Sequence, residues 1–320
     1  MPESQFKKVF IFLDTDKHAS PFDILTTVDI FPEAEILKYE NVTVEDAEKI
    51  VYDTIFPRGP EGAKYTKIFI NGRDFRIANE ILEKIEKCMF PPFEVAVIID
   101  PRGAYTTATA AVAKTLELSL ARGLGDFDKK KITVLAGTGP VGQTAARLYA
   151  AERAEVIVTS RSLQKACSVA TKINEELEVE RVRGVEAQTP EDVGKAIENA
   201  DMVLSAGAAG TELLPLEVLK KCGKKCSIVA DINAIPPMGV EGLNPNADGK
   251  EILPNIFGIG ALAIGKLKNK VEAALIKKAA EEPKGSFDYR TAYEIAKSTV
   301  AAKKEEKKRL EAETPKHWLP

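Results

Sequence analysis

Histidine is nearly missing from this chain: among 320 residues there are two, His18 and His317. A metal site built from several imidazoles is excluded by that count. A Ser-His-Asp hydrolase would have to use His18, and no nucleophile-elbow pattern accompanies it. Cysteine is scarce too. Cys88, Cys167, Cys222 and Cys226 are scattered, and the last two have no second ligand pair near them. Buried reduced thiols are therefore expected, rather than a zinc site or a disulfide framework. No run of about 18 apolar residues exists to span a membrane, and Lys7, Lys8, Asp14 and Asp16 interrupt any signal-peptide pattern. A large excess of one charge is lacking as well: the net charge is −3, and no basic stripe interleaved with aromatics marks a nucleic-acid surface. The expectation is a cytoplasmic protein with no metal, no nucleic-acid partner and no membrane partner.

What the chain has is alternation. Lys8 to Leu13, Lys67 to Ile70 and Val95 to Ile99 read as strands. Helices are marked by Ser20-Pro21, serine as N-cap with proline behind it, and by Thr43 as a second N-cap. Further helices run from Asp74 to Cys88 and from Thr106 to Leu120, the last closed by Gly123. Residues 1–124 thus read as one α/β unit, expected to bind substrate. Residues 125–258 read as a second unit, a Rossmann-type doubly wound parallel sheet. Its strands fall near 132–136, 155–159, 180–185, 202–205 and 227–230. Ile259 to Ala280 reads as a long helix returning to the first unit, which helices over about 259–300 complete. Residues 284–320 read as helical and charged, with 301–320 as a charged tail. Two domains suit this length, and their order places a cleft between them.

The second unit opens on Gly137-Thr138-Gly139-Pro140-Val141-Gly142, between a short apolar strand and an alanine-rich helix. In that context the spacing is the dinucleotide fingerprint. Gly137 is expected to make the tight turn, Gly139 to let backbone approach a pyrophosphate, and Gly142 to let helix and strand pack closely. The helix N-terminus supplies N–H groups and partial positive charge. After the next strand comes Ser160-Arg161-Ser162, with Lys165 one turn on, where an NAD enzyme usually carries an acid for the ribose 2′-OH. Hydroxyls around an arginine suit a 2′-phosphate, so NADP is expected over NAD. Ser162 is equally placed to cap the following helix, and the two roles are compatible.

Substrate groups are expected from loops at the carboxyl ends of strands. "LDTDKHASPFD" carries Asp14, Thr15, His18 and Asp23, and "DPRGAYTTATA" carries Thr106 and Thr107. In the second unit Ala206 and Gly207 suit close approach to a cofactor, and Asn233 offers an amide to the nicotinamide ribose or carboxamide. Each of these residue types is also ordinary turn chemistry.

"DTDKHASPFD", "DTIFPRGP", "PPFEVAVIIDPRGAYTTATAAVA", "VLAGTGPVG", "SAGAAG", "DINAIPPMGVEGL" and "GIGALAIGKLK" together resemble the methylene-tetrahydromethanopterin dehydrogenases of bacterial one-carbon metabolism. The resemblance spans about residues 8 to 300. It implies a pterin-binding α/β domain followed by an NADP-type Rossmann domain, and a homo-oligomer. It also implies oxidation of the methylene carbon bridging two pterin nitrogens, in some members with NAD or with the tetrahydrofolate analogue. The family's cleft lysine matches Lys268, its first-loop aspartate Asp23 and its threonine pair Thr106-Thr107.

That chemistry agrees with the shortage of histidine. The flanking nitrogens help expel a hydride, and no O–H or N–H proton has to leave. Positioning can then supply much of the rate, up to about 7–11 kcal/mol. A lysine there should reach a pterin oxygen or pair with an acid such as Asp23, since a bare ammonium would oppose the forming cation. Two alternatives remain at this stage: a shikimate-dehydrogenase-like NADP oxidoreductase, which needs a Lys–Asp acid–base pair, and a non-catalytic NADP-sensing protein.

Overall fold

The computed structural model describes residues 6–313. His317, Trp318 and the rest of the expected charged tail beyond 313 lie outside them. The first half alternates strand and helix: β1 (Val9–Asp14), α1 (Pro21–Ile30), β2 (Glu35–Tyr39), α2 (Val44–Ile55), α3 (Gly59–Ala63), β3 (Thr66–Asn71), α4 (Phe75–Cys88), β4 (Ala96–Ile99) and α5 (Ala104–Ala121). The second half runs β5 (Lys131–Leu135), α6 (Pro140–Ala151), β6 (Glu155–Ser160), α7 (Leu163–Leu177), β7 (Val182–Glu186), α8 (Pro190–Ile197), β8 (Met202–Ser205), α9 (Leu216–Cys222), β9 (Ile228–Asp231), β10 (Asp248–Leu253) and β11 (Ile256–Ile259). The chain ends in α10 (Ala261–Glu281), β12 (Gly285–Phe287) and α11 (Tyr289–Glu313).

Two sheets result. The first has the order β12-β4-β3-β1-β2, with every pairing parallel. The second has the order β10-β11-β9-β8-β5-β6-β7, parallel except for β10. From β7 inward to β5 and out to β11 this is the doubly wound order, which reverses between β5 and β8. One apolar core joins the sheets: Phe10, Phe12 and Phe69 of the first and Ile132 and Val134 of the second belong to the same buried cluster. Helix α5 lies between them and is buried along most of its length, and its small residues (Ala108, Ala110, Ala111, Ala113) let α6, α10 and α11 approach closely.

Several local expectations change. The helix expected from Ile259 begins at Ala261, because Phe257 to Ile259 pair with Ile228 to Ala230 as a sheet strand. The segment expected to be helical from 284 first adds β12 beside β4. Helix α11 then buries Ala292, Tyr293 and Ala296 before its exposed stretch at 301–305. Ser20 occupies the N-cap position of α1 with Pro21 behind it, but its hydroxyl makes no capping bond; its backbone N–H donates to Asp14 Oδ2 instead. Thr43 forms a full capping box with Asp46, and Ser162 accepts from the Lys165 N–H. No helix among the described residues is long and apolar enough to cross a membrane. No cluster of metal-ligating side chains occurs among them either.

Candidate active site

The glycine loop leaves β5 and enters α6. The left-handed turn falls on Ala136 (φ 49°), not on the expected Gly137. Gly137 is required for another reason: a Cβ there would stand 2.9 Å from the Val134 carbonyl oxygen and from Val158 Cγ1. Gly142 packs directly on Gly137, where a Cβ would meet its Cα at 2.6 Å. Gly139 differs. A Cβ there would meet only the Ala136 carbonyl oxygen, at 3.9 Å, so space above the helix N-terminus is open. Pro140 occupies the first turn of α6 beside Val141, and the first-turn amides have no intrahelical acceptor. The loop is pinned to β6, since Gly137 N donates to the Thr159 carbonyl and Ala136 N to Thr159 Oγ1.

A cleft of about 460 Å3 opens beside this loop, lined by Thr138, Ser160, Arg161, Ser162, Lys165 and Gly207 among others. Arg161 and Lys165 are exposed, and neither has an ion-pair partner among the described residues. The donor set therefore fits an anionic dinucleotide: open amides for a pyrophosphate and two cations with two hydroxyls for a further phosphate. Ala206 is buried next to Gly207. Asn233 does not line this cleft. Its amide donates to the Pro237 carbonyl and accepts from Gly210 N and Ile235 N, tying two loops together. A hollow of about 510 Å3 at the opposite, N-terminal ends of β5–β7 is lined by Lys131, Arg153, Arg181 and Arg183. Ligands of doubly wound sheets bind at the carboxyl ends of the strands, so it is not assigned to the site.

A second cleft, of about 420 Å3, lies between the two halves. Ser20, Phe22 and Asp23 of the α1 entry, Arg102, Gly103 and Thr107 of the α5 entry, and Ala261, Gly265 and Lys268 of α10 line it, with Ile232 just past β9. Gly103 is left-handed (φ +69°), and a Cβ there would stand 3.2 Å from Lys268 Cε, so the lysine lies across it. Gly265 faces open space. Lys268 Nζ sits 3.8 Å from the centroid of the Phe22 ring.

Lys268 does pair with an acid, but the partner is Glu272 one turn along α10, not Asp23. Asp23 lies close by, buried, with Oδ2 accepting from Asn71 Nδ2. Burial pushes its carboxyl well above the usual carboxylate range; the Asp100 and Glu272 carboxyls add to this and Lys268 opposes it. Asp100 is fully buried and pushed up to about 6 by burial, against the pull of Lys268 and of the Thr106 hydroxyl. The threonine pair divides. Thr106 is buried and donates to Asp100 Oδ2 at 2.6 Å, while Thr107 faces the cleft. Asp14 organises the first loop by accepting from Asp16 N and Ser20 N. Thr15 has a buried hydroxyl without a partner among the described residues, and His18 is exposed, its carbonyl accepting from Arg102 Nη2. Phe22, Asn71 and Glu272 are site residues that the sequence alone does not single out. Only Glu272 leaves a signal there, an acid four residues after a lysine on one helix face.

A family profile described as "Methylene-tetrahydromethanopterin dehydrogenase, N-terminal" matches residues 21–102, and one described as "Shikimate / quinate 5-dehydrogenase" matches residues 119–241. Two proteins of Methylorubrum extorquens (strain AM1) are similar along nearly their whole length. An NAD(P)-dependent methylenetetrahydromethanopterin dehydrogenase is 33% identical over 289 residues, 88% of this chain and 94% of that protein. Bifunctional protein MdtA is 38% identical over 293 residues, 91% of this chain and 98% of that protein. Among solved structures, quinate dehydrogenase from Corynebacterium glutamicum in complex with NAD aligns with a TM-score of 0.50 at 12% identity, covering 92% of this chain and 100% of that one, a likeness of fold.

Proposed function

Because the chain belongs to the NAD(P)-dependent methylenetetrahydromethanopterin dehydrogenases, we propose that it oxidises the methylene bridge of methylene-tetrahydromethanopterin to the methenyl form. The observation that carries this is the composition of the second cleft. Its floor and one wall come from the α1 and α5 entries and from Lys268, and Ile232, from the end of a nucleotide-sheet strand, closes the other side. A pterin held there would face the nucleotide half, where Thr138, Gly139 and the first turn of α6 would hold the phosphates of a dinucleotide.

When bound, NADP would supply a nicotinamide able to accept the hydride that the methylene carbon loses. The chain's own task is to bind and orient. Lys268 reaches a pterin oxygen, Phe22 packs against the flat ring, Thr107 supplies a hydroxyl, and the open face of Gly265 gives room. Asp23, whose burial favours the neutral acid, supports Lys268 from below rather than acting as a counter-charge to the substrate. Asp14 and Thr106 hold the loops, with Thr15 and His18 beside them. Arg161, flanked by Ser160 and Ser162, supports NADP over NAD, with NAD as a weaker alternative. Residues 1–124 with about 259–300 form the substrate part and 125–258 the nucleotide part. Four free cysteines suit a reducing, cytoplasmic compartment. Exposed Leu25, Val28, Leu37 and Tyr39 support a homo-oligomer. The shikimate-type profile covers residues 119–241, which leaves out Phe22, Asp23, Arg102, Thr107 and Lys268 of the second cleft. Offering each pterin carrier with NADP and with NAD, and following reduced nicotinamide, tests the proposal; reduction with shikimate and none with either pterin would reject it.

A further inference from the structure

Beneath the cleft, three carboxyl groups surround one ammonium. Asp23 (2% exposed), Asp100 (0%) and Glu272 (1%) are all buried with Lys268 (8%). They come from different elements: Asp23 from α1, Asp100 from the turn that enters α5, Glu272 and Lys268 from α10. Arg102 lines the same cleft, but its guanidinium is committed to Asp16 and to the His18 carbonyl. Thr106 on α5 contributes no charge, only its hydroxyl and backbone N–H. Lys266 and Lys270 on α10 are exposed.

Three ionised carboxylates against one ammonium leave a buried excess of negative charge, which is costly in a medium this dry. Asp100 is served by Tyr105 N at 2.8 Å, Thr106 N at 3.2 Å and the Thr106 hydroxyl. The other two are not so served. Asp23 Oδ1 and Glu272 Oε1 are each sealed from solvent without a donor. The Glu272 carboxyl is near enough to help push the Asp23 carboxyl up, Asp23 Oδ2 accepts from Asn71 Nδ2, and Glu272 Oε2 is paired with Lys268. A single proton shared by these two carboxyls would give the unpartnered oxygens a bond and bring the group of four closer to neutral.

We infer that Glu272 is the positioning residue of this cleft: one of its carboxylate oxygens accepts the carboxylic-acid proton of Asp23, and the other holds the Lys268 ammonium across Gly103 and over Phe22. The inference rests on the reading of Lys268 as the substrate-facing group. It explains how a lysine can sit beside a carbon that becomes cationic. The ammonium reaches the substrate already paired, so its field is largely cancelled, while its N–H bonds remain free to orient a pterin oxygen. Asp23, kept neutral, serves as the donor that fixes Glu272.

Two measurements test it. The first is infrared difference spectroscopy at neutral pH, where a buried protonated carboxyl gives a resolved C=O stretch and ionised carboxylates do not. The band is expected in the wild type and in Lys268→Ala, and is expected to vanish in Asp23→Asn, whose amide reproduces the neutral acid's hydrogen bonds and keeps the fold. A wild type without this band, or a band untouched by Asp23→Asn, overturns the shared proton. The second is steady-state kinetics of Glu272→Gln, Glu272→Asp and Lys268→Ala. Glu272→Gln should lower kcat by about 10²-fold, the cost of misplacing a positioned group by about 1 Å. Its NADP affinity should stay within a few-fold, and Glu272→Asp should recover part of the loss. Normal turnover in Glu272→Gln alongside a dead Lys268→Ala overturns the role of Glu272 and leaves Lys268 standing. Normal turnover in Lys268→Ala overturns the underlying reading of the cleft, and the role of Glu272 with it.

Discussion

Gly139→Val separates the glycine loop's role in folding from its role in binding. The space around Gly139 is open: a Cβ there meets nothing nearer than the Ala136 carbonyl oxygen at 3.9 Å. Its φ of −77° with ψ of 168° is backbone that valine adopts readily. The folded chain should therefore accept the side chain with little strain. The isopropyl group then occupies the space in front of the first-turn amides of α6, where a pyrophosphate would rest. Charge-assisted hydrogen bonds contribute about 1.5–3 kcal/mol each, so losing two costs about 3–6 kcal/mol, or roughly 10²–10⁴-fold in affinity. Fluorescence titration with NADPH measures the loss, and circular dichroism with a thermal melt checks the fold. Gly142→Val is the contrast. Its Cβ would stand 2.6 Å from Gly137 Cα, so it should lower the melting temperature by overpacking, at about 1–3 kcal/mol. If Gly139→Val binds NADPH like the wild type, the loop is a turn and the phosphates do not rest on α6.

Arg161→Ala should weaken NADP by about 10- to 100-fold and leave NAD nearly unchanged; equal losses for both cofactors, read by the same titration, would reject a 2′-phosphate contact. Lys268→Ala should cut turnover by about 10²-fold with NADP affinity held within a few-fold, whereas the exposed Lys266→Ala and Lys270→Ala should be mild. A sensitive Lys266 or Lys270 with a tolerant Lys268 would show that the wrong lysine has been assigned. Asp100 makes a pH prediction. Its folded pKa, about 6, lies above the ordinary 3.8, so the folded state holds the proton more tightly. Its contribution to stability is full below about pH 4 and is lost as pH rises through about 6. A rise of that size in proton affinity on folding corresponds to about 3 kcal/mol. Denaturant unfolding should thus show Asp100→Asn gaining on the wild type by that order across this window; a stability difference that does not change with pH would refute it.

The plan of the fold can be read in the sequence because apolar strands and capped helices alternate with little ambiguity, and because the glycine loop stands where strand meets helix. Strands that lack a buried alternating face escape that pattern. Glu35–Tyr39 is an edge strand exposed along most of its length, and Gly285–Phe287 is three residues that pair with β4 only after a long helix has returned. Residue types can also name a turn without fixing which residue makes it, so the left-handed position falls on Ala136 beside the glycine. At the site, Arg161, Ser160 and Ser162 are legible because local order brings them together. The Asp23–Glu272–Lys268 arrangement is not, because it joins residues almost 250 positions apart through the packing of α1 on α10. Thr106 looks like a substrate-loop residue, and its bond to Asp100 shows only once α5 has an end to cap.

The most direct test follows the hydrogen itself. Methylene-tetrahydromethanopterin carrying deuterium on the bridging carbon is incubated with NADP and the protein in ordinary water, and the reduced cofactor is weighed by mass spectrometry. Hydride transfer between the two clefts predicts that the deuterium is recovered in NADPH, together with the methenyl product in equal amount. Deuterium lost to water, or no reduced cofactor at all while NADP binds normally, would contradict it.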